Sequence, residues 1–522
     1  MEKRIGVDYM RNKKKSITLM IVAIITLLTL IIGATYAYFQ AGGGTGTNTD
    51  VKVTTYTTDA LSFEVGSDIS LYADQTTFAS GKGNVAGSTF AKAILTANNK
   101  TNTSTMNYYL YLNILNNTFT YTQSTSTPEL LLTITDASGN TVTDITSLTY
   151  KTLTDGKGAS ISGYDITDKN GLITLFDNKE ITASPTKTDQ WNIIVTFINY
   201  NADQSNNMGK NFSAKLMIRK NEYKPLTDYI ISQYTGTQGE NNIYYHTSTL
   251  TNGAGDNSYR YAGPSDTTNN FICFGFDEST CPTDNLYRII GVLDNKVKLI
   301  KYDYATSTLL GTQGDYSGER TTSSYYKGSL STISAYKWSY IAYQDANNTW
   351  SESIFNKWNL NTSFINEIGT TWSNKIATTT WKVGGNTNTN IASSVPSTAY
   401  QYEVGANASA TTYDAKIGLM YVSDYYYAAD QSAWTLVGHD DDATKDYRAA
   451  ANDNWMYMGM HEWTISRNSD SSDNVFRVGS TGGVFTTTTT GSNIGGRPVF
   501  NLESTVSYES GSGTQSDPII IN

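Results

Sequence analysis

Apolar and polar positions follow three different patterns along this chain. From Ile17 to Phe39 the residues are apolar almost without break, relieved only by threonines and small side chains. At 1.5 Å of helical rise these 23 residues span roughly 34 Å, the thickness of a bilayer's hydrocarbon core. From Val51 to about Asn221 the period is two. Tyr108, Leu110, Leu112 and Ile114 share one strand face, as do Trp191, Ile193, Val195 and Phe197, and Phe212, Ala214, Leu216 and Ile218. Turn residues such as Asp136-Ala137-Ser138-Gly139-Asn140 separate these runs, a pattern that predicts an antiparallel β-sandwich.

After Asn221-Glu222-Tyr223-Lys224-Pro225 the periods mix. Leu226 to Tyr234 predicts a short helix. Leu286 to Val292 and Val297 to Lys301, joined through Asp294-Asn295, predict a hairpin. Thr349 and Glu352 have the spacing of a capping box. Ile354, Trp358, Ile365, Ile368, Trp372 and Ile376 recur at helical spacing, as two helices broken near Asn359–Asn361. The expected division is 1–39 leader or anchor, 40–50 Gly/Thr/Asn linker, 51–222 sandwich and 225–522 α+β unit.

Charge sets the orientation of the leader. Lys3, Arg4, Arg11, Lys13, Lys14 and Lys15 precede the apolar run, which places the N-terminus inside the cell and the rest outside. Ala37, with Thr35 two residues earlier, offers a small-residue exit for signal peptidase; uncut, residues 17–39 remain a single-pass anchor. Removing residues 1–37 takes away six Lys/Arg and two Asp/Glu, leaving 31 against 45, a net −14. Such a surface excludes nucleic acid as a partner, because phosphate binding needs a basic face. Cys273 and Cys281, close in sequence in an oxidising compartment, read as a local disulfide, with two free thiols as the alternative.

The exit Gly33-Ala34-Thr35-Tyr36-Ala37, followed by a strand-rich region, resembles the TasA/camelysin family of biofilm-matrix fibre proteins. The resemblance implies cleavage by a dedicated signal peptidase and a jelly-roll-like sandwich capable of self-assembly. Camelysin-type proteins have been classed as metallopeptidases. A zincin needs two histidines one helical turn apart, and residues 51–222 contain none. The second half is similar to a domain family of unknown function in exported proteins of low-GC Gram-positive bacteria. The similarity is carried by Tyr287-Arg288-Ile289-Ile290-Gly291-Val292, Ile417-Gly418-Leu419-Met420 with Ser423-Asp424-Tyr425, and Arg497-Pro498-Val499 with Asn501-Leu502. That family opens with Trp where this chain has Tyr287. It implies a C-type-lectin-like or sulfatase-modifying-factor-like α+β architecture.

Candidate chemistry is sparse. His461-Glu462 begins like a zincin motif, but Ile465 stands where the second histidine belongs. Asp440, Asp441 and Asp442 beside His439 form a weak calcium candidate and read more simply as a solvated acidic loop. No cofactor is expected, and no other metal site. Asp424, Tyr425, Tyr427, Trp455, Tyr457 and Trp463 combine aromatic faces with polar neighbours, the composition of a sugar-binding surface; the bland reading is that they cover strands, with Asp424 capping a turn. The sequence therefore predicts a mainly β, exported surface or matrix protein without enzymatic activity. As an adhesin it would bind glycan or a host or bacterial surface protein through aromatic loops. A peptidase-like or sulfatase-modifying-factor-like enzyme is the third reading.

Overall fold

The computed structural model describes residues 59–78, 82–98, 102–276, 280–339, 347–392, 395–434 and 447–522. The apolar run 17–39, Ala37 and Asp440–Asp442 lie outside the described residues. Among those described, no helix is long and apolar enough to cross a membrane. The chain is mainly β and its sheets are antiparallel. It divides into two compact units, one ending at Tyr223 and the other running from Lys224 to Asn522.

Two sheets share one apolar core in the first unit. One has six strands in the order Ala60–Val65, Val85–Thr96, Thr186–Phe197, Leu130–Asp136, Ser160–Asp165, Tyr150–Thr154. The other has four: Ile69–Tyr72, Asn211–Arg219, Ser104–Asn117, Gly171–Ala183. The period-two residues named above all point into this core and are buried. Gly139 sits at φ +83° in its turn, and the Asp136 carboxylate accepts from the backbone N–H groups of Ser138 and Asn140, which fixes that corner.

The second unit is built on a larger sheet with the order Ile243–Tyr245, Tyr259–Tyr261, Leu286–Leu293, Lys296–Lys301, Val499–Asn501, Ile417–Gly418. Phe271–Cys273 pairs with Leu286–Leu293 on the same side as Tyr259–Tyr261. The expected hairpin is present, and Asp294 and Asn295 both have positive φ, the backbone of a two-residue turn that matches strand twist. The short helix is Leu226–Ser232. The Cys273–Cys281 disulfide is formed.

Two local expectations are corrected. No capping box forms at Thr349: its side chain makes no cap bond, and the Glu352 carboxylate accepts from the Asn347 amide instead. The helix also does not break at Asn359–Asn361. A wide-turned helix runs through Phe355–Phe364, because Asn359 donates to the Leu310 and Gln313 carbonyls and Asn361 to that of Ile417. Asn359 is thus occupied outside the helix, whereas Asn361 also donates back to the Asn356 carbonyl five residues earlier. The interruption falls at Gly369, φ +74°, and Trp358 faces outward rather than into the core.

Candidate functional site

The six residues with sugar-binding composition lie inside the second unit, none more than 3% exposed. Tyr425 donates to the Gly482 carbonyl at 2.8 Å and Tyr427 to that of Asn252 at 3.2 Å. Trp455 donates to Tyr261, Tyr457 to Ser480 and Trp463 to Tyr336. Each ring fills the core while its polar tip satisfies a backbone oxygen. A ring sealed in this way presents no face to a ligand from solvent, so this set is corrected from a binding surface to core.

Asp424 alone leads to chemistry. It stands in the first turn of the helix Val422–Tyr427, where Oδ2 accepts from the Tyr421 backbone N–H at 3.0 Å, the expected capping contact. The same oxygen also accepts from Lys298 Nζ at 2.6 Å, and Oδ1 lies 3.5 Å from Arg260 Nη1. All three side chains are buried. Lys298 projects from the hairpin strand Lys296–Lys301 and Arg260 from Tyr259–Tyr261, on the far side of Leu286–Leu293. Gly291 brings the Arg260 strand close, since a Cβ there would meet the Tyr259 carbonyl oxygen at 2.1 Å.

Further charges complete the cluster. Asp256 accepts from Arg260 Nη2 and from the Tyr400 hydroxyl, both at 2.8 Å. The Arg260 guanidinium also lies against the Tyr400 and Tyr427 rings, at 5.3 and 5.2 Å. Burial alone would raise Asp256, but Arg260 and the hydroxyls of Ser258 and Tyr400 hold it well below the usual carboxylate range. Glu403 accepts from the N–H groups of Val422 and Ser423 and from the Ser466 hydroxyl. Burial nevertheless raises its pKa, and burial lowers that of Lys298 against the pull of Asp424.

The histidines and the remaining buried ion pair are placed differently. His246 accepts at Nδ1 from the Ala254 N–H and packs edge-on to Tyr427, while Nε2 finds no hydrogen-bond partner. Burial, then Arg260, push its pKa down to about 3. His461 accepts from the Ser480 N–H, and Glu462 is paired with Arg497 at 2.7 Å. Among the described residues no three His, Cys, Asp or Glu side chains gather in a metal-binding group.

Sequence reasoning missed Arg260, Lys298 and Glu403. The available signal was Val297-Lys298-Leu299-Ile300-Lys301, where lysines interrupt a strand of a sheet buried on both faces. Chemically the cluster gathers one amine, one guanidinium and three carboxyls, of which Asp256 is part-exposed and the others buried. No protein-family model matches the chain, and no curated protein matches it.

Proposed function

We propose that this is an exported bacterial surface or matrix protein without enzymatic turnover, in which a jelly-roll-like sandwich carries and displays a C-type-lectin-like α+β unit. The observation that carries the reading is the Cys273–Cys281 bond, formed next to a strand of the main sheet with Cys273 buried. Such bonds persist in oxidising compartments and are rare in a reducing cytosol. The basic, then apolar leader in the sequence supports the same compartment. Self-assembly draws support from Ala60–Val65, a regular edge strand with apolar residues turned inward and one rim unpaired among the described residues. The opposite sheet is bordered by Gly171–Ala183, where register shifts and Asn178 at φ +50° interrupt the ladder.

The test is compartment and thiol state together. Intact cells are treated with protease, then quenched in acid and alkylated under denaturing conditions without reductant. The expected result is digestion of the chain from outside and no alkylation of Cys273 or Cys281. A protected chain with both thiols labelled overturns the reading.

One observation favours the adhesin reading as a second. Trp358 and Tyr402 of the second unit are about half exposed, so aromatic faces are open to a glycan or protein, though not at the residues expected from sequence. Glycan-array binding by the full chain, lost in Trp358→Ala, supports it; equal binding by the variant removes Trp358 from the surface used.

A further inference from the structure

We propose that Lys298 and Asp424 condense to an amide, an isopeptide cross-link that ties the hairpin strand to the helix Val422–Tyr427 across 126 residues of chain. The inference goes beyond the display role and holds wherever the protein resides. Three observations carry it. The amine and the carboxyl already touch, Nζ to Oδ2 at 2.6 Å, with both side chains no more than 5% exposed. The Tyr421 ring and the Trp381 ring lie over Nζ, at 4.8 and 5.8 Å, so the pair is walled by aromatic carbon. Three other lysine pairs, Lys92 with Glu64, Lys151 with Asp165 and Lys169 with Asp168, are by contrast open to water on at least one side.

The step balances without any other reagent. Nζ attacks Cγ of Asp424, forming the N–C bond, and negative charge collects on Oδ1. The Arg260 guanidinium, 3.5 Å from Oδ1, faces that charge. The Cγ–Oδ2 bond then breaks, and the two protons given up by the ammonium leave with Oδ2 as one water. Nothing is oxidised or reduced.

One physical term favours the rate of the step and another its product. Well-aligned intramolecular groups reach effective concentrations of roughly 10⁵–10⁸ M, which lowers the barrier to attack. The product also removes two buried charges, and with them the desolvation cost of keeping an ammonium and a carboxylate out of solvent. Burial already pushes Lys298 toward the free amine that attacks. Glu403 holds the start of the same helix, accepting from the Val422 and Ser423 N–H groups.

The experiment is peptide mass spectrometry of the full chain, denatured and digested with trypsin. A cross-link blocks cleavage after Lys298 and joins the peptide 297–301 to the peptide 417–445, lighter by one water than the two together. Linear 417–445 is then depleted relative to its isotope-labelled standard. Lys298→Arg keeps a cation opposite Asp424 but forms no such amide, so linear 417–445 returns to full yield. Recovery of free 297–298 and linear 417–445 in full yield from the unsubstituted chain overturns the proposal, because it leaves a plain ion pair. The decisive reading comes from the unsubstituted protein and does not depend on any variant folding.

Discussion

Trp191 donates its indole N–H to the phenol oxygen of Tyr108 at 2.7 Å, and the two residues belong to opposite sheets of the first unit. The Tyr108 hydroxyl passes its own proton toward Asp189 at 3.2 Å. A polar chain thus crosses a core made mostly of Leu, Ile, Ala, Val and Phe. Tyr108→Phe removes the hydroxyl and leaves a buried indole N–H without an acceptor. Such an orphan costs about 1–3 kcal/mol. Denaturant unfolding of the first unit is expected to lose that amount, and Trp191→Phe in the same background to add little more. Fully additive losses would show that the bond contributes nothing of its own.

A second buried pair gives a larger effect. Arg497 donates from Nε to Glu462 at 2.7 Å and from Nη2 to the Met456 carbonyl at 2.6 Å. Burial raises the Glu462 pKa in spite of Arg497. Arg497→Met strands that carboxyl, a change typically costing about 3–5 kcal/mol. Arg497→Met with Glu462→Gln is expected to recover a good part of it, since the uncompensated charge is gone. Chemical denaturation of both variants checks this, and a double variant no better than the single would locate the loss in packing.

These two relationships mark how far the sequence can be read. Strand faces in the first unit were legible because each inward residue is apolar and the period is two, so Leu110 and Val195 announce their side directly. The hairpin turn at Asp294-Asn295 was legible because few residues accept positive φ in succession. Aromatic residues misled: Trp455, Tyr457 and Trp463 stand beside polar neighbours in sequence, yet their polar tips bond to backbone oxygens more than 20 residues away. Nothing local distinguishes such a ring from a surface one. Asp424 was half legible. Its capping contact with Tyr421 is local, whereas Lys298 and Arg260 meet it only through tertiary folding.

Packing around Arg260 yields a third expectation. Gly291→Ala places a methyl about where the Tyr259 carbonyl oxygen now lies, and backbone cannot swing aside as a side chain can. Overpacking of this kind costs roughly 1–3 kcal/mol. The strand Tyr259–Tyr261 must shift, and with it the Arg260 guanidinium. Lower thermal stability is expected together with slower appearance of the Lys298–Asp424 cross-link in newly made chain. Lost stability with cross-linking at the unsubstituted rate would mean that Arg260 plays no part in the condensation.

The disulfide supplies a fourth. Cys273 and Cys281 are eight positions apart, and loop-closure entropy for a ring that small amounts to roughly 2–3 kcal/mol. Cys281→Ser is expected to lower stability by no more than that, because Cys281 is only half-buried while the buried Cys273 survives as a small apolar thiol. Cys273→Ser places a hydroxyl in the core and is expected to cost more. Equal losses in the two variants would leave only the ring closure at work.

Acid sensitivity follows from the histidines. His246 and His461 are held near a pKa of about 3, in each case by burial first and then by arginine, Arg260 for one and Arg477 for the other. In the unfolded chain both titrate near 6.5. Between those values the unfolded state binds protons that the folded state refuses, so stability falls as the pH drops from about 6.5 toward 3. Each histidine contributes at most about 1.4 kcal/mol per pH unit across that window. Glu403 and Glu462 work the other way, because their raised pKa values relieve buried charge as the pH falls. Asp256 adds to the loss only at greater acidity, its carboxyl being held well down by Arg260. Calorimetric unfolding between about pH 7 and pH 5 is therefore expected to show a falling transition temperature for the second unit. His246→Gln, unable to take up a proton in either state, should flatten that slope. An unchanged slope would assign the acid response to the other groups.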